Sequence, residues 1–177
     1  MLPSEVNEIA QERPEHPKLV DERYRDITTV EDSTTVAVDR TICLMVYEID
    51  GRQFSTLEEF FAEFSRVLTP GFDPLLSNLD AFDDVLSGGC GTPDGGFTPR
   101  WKNHELSRQR LGYAQTVRQL ELRLARCHPT NRPQVAQDLK QAQAHQGPTV
   151  FDWLTEIIHD HGPSGRYASD GVELLLD

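Results

Sequence analysis

Positive charge is scarce in this chain. Seventeen Lys and Arg stand against 29 Asp and Glu in 177 residues, a formal net charge of −12. A general binder of the nucleic-acid backbone needs a positive surface, so no direct nucleic-acid contact is expected. Cysteine is scarce too: Cys43, Cys90 and Cys127 form an odd set without C-x-x-C spacing. That argues against a disulfide framework or a paired-cysteine zinc site and suits reduced thiols in a cytoplasmic protein. No apolar run approaches the roughly 20 residues that span a bilayer, so no membrane partner is expected. The N-terminus lacks the basic start and apolar stretch of a secretory signal. Gly88-Gly89-x-Gly91 and Gly95-Gly96 lack the Lys-Ser/Thr ending of a phosphate loop, and no G-x-S-x-G elbow occurs.

The charge present is unevenly placed. Residues 1–40 carry 10 acids and 5 bases, and residues 41–98 carry 10 acids and 2 bases. Residues 99–145 reverse the balance, with 3 acids and 9 bases, and residues 146–177 return to 6 acids and 1 base. The chain length suits one domain with an appendage, at about 150 residues per domain. Residues 1–40 read as a polar N-terminal extension with Pro3, Pro14 and Pro17, and 34–38 as a short strand within it.

The remainder alternates short apolar strands with helices. Residues 41–49 (TICLMVYEI) are nearly all apolar, as in a strand buried on both faces, and Asp50-Gly51 makes a turn. Residues 55–68 form an amphipathic helix, with Ser55 and Glu58 as a capping box and Leu57, Phe60, Phe61, Phe64 and Leu68 as its stripe. Residues 77–87 form a shorter helix, N-capped by Ser77, with Leu79, Phe82 and Leu86 inward and Gly88 at its end. Residues 97–101 suggest a strand that Pro99 confines to an edge or an irregular course. Two more helices are expected over 116–126 and 133–145, the second a surface helix with a thin stripe of Val135, Leu139 and Ala142. Thr149 and Asp152 cap a last helix with Phe151, Leu154, Ile157 and Ile158 inward, and residues 172–176 (VELLL) form a final strand. This order predicts an α/β fold with a small parallel sheet.

The short helix carries the unusual chemistry. Asp80, Asp83 and Asp84 repel one another at close helical spacing, a cost of roughly 0.2–0.5 kcal/mol per pair. With the apolar residues inward, the three carboxylates are expected to share one outward face, an acidic patch suited to cationic side chains such as Arg. In His159-Asp160-His161 the two imidazoles, two residues apart on a helix, point in different directions and do not suit one metal ion. Arg100, Lys102, Arg108, Arg110, Arg118, Arg123, Arg126 and Arg132 are expected to pair with the acidic segments. Neither a cofactor nor a metal is expected.

Several segments taken together resemble the barstar family of intracellular ribonuclease inhibitors. These are the strand with its Asp-Gly turn, the S-x-L-E-x-F helix, and the run Asn78-Leu79-Asp80-Ala81-Phe82-Asp83-Asp84-Val85-Leu86-Ser87-Gly88. Residues 101–108 (WKNHELSR) are similar to the family's second strand and the segment after it, and V-E-L-L-L to its last strand. The resemblance implies a three-stranded parallel sheet flanked by helices, with a barstar-like domain over 41–177 enlarged by a basic helical segment at 99–148. It implies no catalysis, but occlusion of the active site of a basic ribonuclease or nuclease-like toxin by an acidic helix. Asp80 and Asp84 match the family's two acidic contact positions, and Asn78 and Gly88 match contacts in the loop and at the helix end. Glu156 is nearest to the family's further Glu on the last helix. The chain departs from the family where Asp83 replaces an aromatic, Pro74-Leu75-Leu76 replace Tyr-Tyr-Gly, and Gly89 replaces a second aromatic, so the implied nuclease differs from barnase. Two other classes stay open: a metal-dependent hydrolase using Asp73, Asp80 or Asp84 with His159 or His161, and an acidic module for a non-nuclease basic protein.

Overall fold

A computed structural model describes residues 45–70, 76–88, 92–93 and 95–177. The polar extension, the strand expected at 34–38, the first four residues of the strand expected at 41–49, and Asp73, Pro74, Leu75 and Gly89 lie outside the described residues. Three strands form one sheet in the order β1 (Met45–Asp50), β2 (Phe97–Lys102), β3 (Leu175–Leu176), and both pairings are parallel. Six helices accompany them among the described residues: α1 (Leu57–Leu68), α2 (Leu79–Leu86), α3 (His104–Arg110), α4 (Tyr113–Arg126), α5 (Arg132–Gln143) and α6 (Val150–Asp160). The α/β class and the three-stranded parallel sheet are as expected.

The core is aromatic. Phe54, Phe60, Phe64, Phe82, Phe97, Trp101 and Phe151 are all buried in one cluster. Phe60 sits at its centre, stacked on Trp101 at 5.1 Å and edge-on to Phe54 and Phe82. Rings meeting edge-to-face bring the positive rim of one to the negative face of another, which adds about 0.5–1.5 kcal/mol per pair to the burial itself. The helical stripe at Leu57, Phe60, Phe61, Phe64 and Leu68 is buried throughout, as its spacing predicts.

The apolar run at 41–49 predicts a strand buried on both faces, but β1 lies at one end of the strand order, and Met45 and Val46 are exposed, with Ile49 its buried residue. Three further expectations are corrected. The first is the cap of α1. Ser55-Thr56-Leu57-Glu58-Glu59 fits the capping-box pattern in two frames, and the structure uses Thr56 with Glu59. Glu58 is engaged elsewhere: it accepts from Arg118 at 3.1 Å and from Gln119 at 3.0 Å, joining α1 to α4. Partial burial opposes its ionisation, but these bonds prevail and hold the carboxyl below its ordinary range.

The second is β2, which is the central strand although it contains Pro99. The carbonyls of Phe97 and Trp101 accept from Glu173 and Asp177 on the β3 side. Alternation along a strand puts the nitrogen of Pro99 on that same side, so the missing N–H removes a rung toward β3 and none toward β1. The strand expected at 172–176 accordingly pairs as a ladder only at Leu175 and Leu176. The third is helix α3, which the sequence pattern does not predict. It is seven residues long, has no apolar stripe, and places Ser107 to accept from the buried Trp101 Nε1 at 2.9 Å.

The Asp50-Gly51 turn closes against this region. Gly51 N–H donates to Lys102 O at 2.9 Å, and a Cβ at Gly51 would lie 2.2 Å from Ser107 Oγ, so only glycine fits. Beyond α3, α4 and α5 pair around a separate small cluster of Leu120, Val135 and Ala142. The stripe of Val135, Leu139 and Ala142 is therefore used, against α4 and not against the main core.

Candidate functional site

The site expected from sequence is α2, and its orientation derives from 3.6 residues per turn. Phe82, Val85 and Leu86 are buried against the aromatic core, with Leu79 partly buried beside them. At about 100° per residue, Asp80 and Asp84 lie on nearly the same heading, roughly opposite that stripe. Both are exposed, and among the described residues neither has an ion pair or side-chain hydrogen bond. Asp80 belongs to the first turn, where the helix dipole favours an anion. Asp84 lies in the second half of the helix, where the dipole opposes it, and the last turn holds no base to offset it. Stability alone does not account for a carboxylate there.

Asp83 departs from the expected shared face. Its heading is about 60° to the side of Asp80, toward α6. There its Oδ1 lies 3.1 Å from Nε2 of His161, a fully buried side chain that caps the end of α6. The other ring nitrogen, Nδ1, is 2.7 Å from Asp170 Oδ2. The three residues do not converge on a point: the carboxylates bracket the ring from opposite ends. His159 is exposed where His161 is buried, so the two imidazoles do point apart. His159 lines an open groove of about 620 Å³ with Asp152, Thr155, Glu156 and Asp160. Glu156 therefore stands exposed on the helix that neighbours α2.

Asn78 and Gly88 sit at the two ends of α2. Asn78, not Ser77, is the N-cap: its Oδ1 accepts from Ala81 N–H at 2.8 Å, and its Nδ2 donates to Ser77 Oγ at 3.3 Å. An Asn in this role satisfies one of the orphan N–H groups of the first turn. Gly88 succeeds the C-cap Ser87 with φ +95°, is exposed, and has open space where a Cβ would stand. This left-handed residue ends the helix and leaves its backbone accessible.

The expectation that basic residues pair with acidic segments holds for Arg100 and Lys102 with Glu48, Arg108 with Asp152, and Arg118 with Glu58, whereas among the described residues Arg123, Arg126 and Arg132 have no ion pair. Arg110 instead donates to the carbonyls of Gly51, Arg52 and Phe54, fastening the loop after β1. Among the described residues, no helix is long and apolar enough to cross a membrane.

An eight-residue helix thus rests its apolar side on the core, meets a buried histidine on one flank, and points outward two carboxylates that have no side-chain partner among the described residues. No curated protein and no solved structure matches the chain. The family described as Barstar (barnase inhibitor) matches residues 44–126, from just before β1 to the end of α4, so this stretch of the chain is barstar-like, and the three-stranded parallel sheet flanked by helices agrees with that fold.

Proposed function

We propose that this chain is a protein inhibitor that occludes the active site of a basic ribonuclease or related toxin, with Asp80 and Asp84 of α2 as its principal contacts. The observation that carries the reading is that pair of exposed, unpartnered carboxylates, one helical turn apart on a firmly seated helix. A ribonuclease binds phosphate with cationic side chains, and a fixed pair of carboxylates offers those cations the anion they are built to hold. Asn78 and Gly88 contribute polar and backbone contacts at the two ends of the helix. Residues 41–177 act as one barstar-like domain in the cytoplasm, with residues 1–40 as an extension, and the chain is not itself a catalyst.

The test is inhibition of RNA cleavage across a panel of basic ribonucleases, with barnase as the reference member. At least one ribonuclease is expected to lose activity at one-to-one stoichiometry. Asp84→Ala should weaken that complex by about 2–5 kcal/mol, the cost of leaving a desolvated cation unpaired. Asp80→Ala should act in the same direction. Undiminished inhibition by Asp84→Ala would remove α2 as the site.

A further inference from the structure

We propose that His161 is the positioning residue of the acidic helix: it ties α2 through Asp83 to the end of α6, and so sets the heading of Asp80 and Asp84. The consequence for binding rests on the inhibitor reading, whereas the tie itself does not.

The apolar stripe of α2 fixes how deeply the helix sits. It does not fix rotation about the helix axis, because Phe82, Val85 and Leu86 span a broad arc and can roll on a cluster of rings. Eight residues are too few for a helix to hold its shape unaided. A directional bond off the apolar side supplies what the stripe lacks, and Asp83–His161 is such a bond, made on the flank between the buried stripe and the exposed pair.

The histidine is itself held from every side that the structure describes. Asp83 from α2 and Asp170 from the 3-10 turn Ala168–Asp170 face its two nitrogens. The Tyr167 ring stacks on it at 5.0 Å, and the Arg166 guanidinium lies over that ring at 5.5 Å. Its backbone N–H donates to Ile158 O, and its carbonyl accepts from Val172 N–H at 3.0 Å. Carboxylates thus hold the ring at both of its nitrogens, and the one on α2 fixes that helix to the end of α6.

Amide hydrogen exchange on the full chain, with no nuclease present, tests the tie separately from the inhibitor reading. Asp83→Ala should speed exchange of the α2 amides by about tenfold or more, while the amides of β1 and α1 keep their rates. Asp83→Asn, which keeps a hydrogen-bonding group of the same shape, should stay within about threefold of the parent. His161→Phe should speed the α2 amides at least as much as Asp83→Ala, since it removes the bond to Asp170 as well, and adding Asp83→Ala to it should change the α2 rates little, because the bond to Asp83 is already gone. Unchanged α2 rates in Asp83→Ala would overturn the proposal. An equal acceleration in β1 and α1 would do so too, by showing a general loss of stability. Should His161→Phe fail to fold, the Asp83 pair of variants decides the matter alone.

Discussion

Helix α2 buries three of its eight residues against the aromatic core, whereas α5 buries two of its twelve, against α4. The shorter helix carries two uncompensated carboxylates, and the longer one is mostly neutral and polar. Length therefore does not measure how firmly a helix is held. A helix that exposes charge on one side must be held from the other, and α2 has Phe60, Phe64 and the flank bond from His161 to do so. Helix α5 has only its stripe against α4, and its role is to close a hairpin whose ends meet where Tyr113 Oη donates to Gly147 O.

Four measurements would break or sharpen this contrast. Phe60→Ala removes the ring at the centre of the core beneath α2 and should cost about 3–5 kcal/mol of global stability, read from denaturant midpoints. A much smaller cost would mean that the aromatic cluster is not what seats the helix. Val135→Ala empties part of the hairpin's small cluster and should cost only about 1.5 kcal/mol, the burial of two methyl-sized groups. Equal costs at these two sites would erase the distinction. Asn78→Ala removes the cap of α2 and should cost about 1 kcal/mol, with faster exchange confined to the first turn. The smallest effect concerns Asp50, where the hydrogen bonds from Arg52 hold the carboxyl well below the ordinary range. A lowered carboxyl contributes stability that is present above about pH 4 and is lost as pH falls through its folded value. Asp50→Asn should then cost less than about 1 kcal/mol at neutral pH, since Arg52 is largely exposed, and nothing in strong acid.

What the sequence discloses and what it hides differ by distance along the chain. The stripe of α1, the T-x-x-D box of α6 and the Asp-Gly turn are local patterns, and each stands where its spacing puts it. The acidic pair Asp80 and Asp84 is legible for the same reason: four residues make one turn. The cap of α1 differs by one residue from the expected frame because two frames fit, and the deciding partner, Arg118, lies 60 residues away. Asp83 reads as outward-facing because its partner, His161, lies 78 residues away. The His-Asp-His run is the available signal, since a histidine that caps a helix and cannot share a metal with its neighbour still needs partners. Pro99 misleads because the rule against proline in a central strand assumes full ladders on both sides, and here one side is short.

That short side has a consequence for the protein in solution. The outer edge of β3 carries Leu175 and Leu176, which are 44 % and 37 % exposed, and an apolar strand edge invites pairing with strands of other molecules. With a rung lost to Pro99, the edge extends over only two residues. A template of that length offers a passing strand too few donors and acceptors to hold it. The proline that weakens the sheet from within thus also shortens the strand edge that β3 offers.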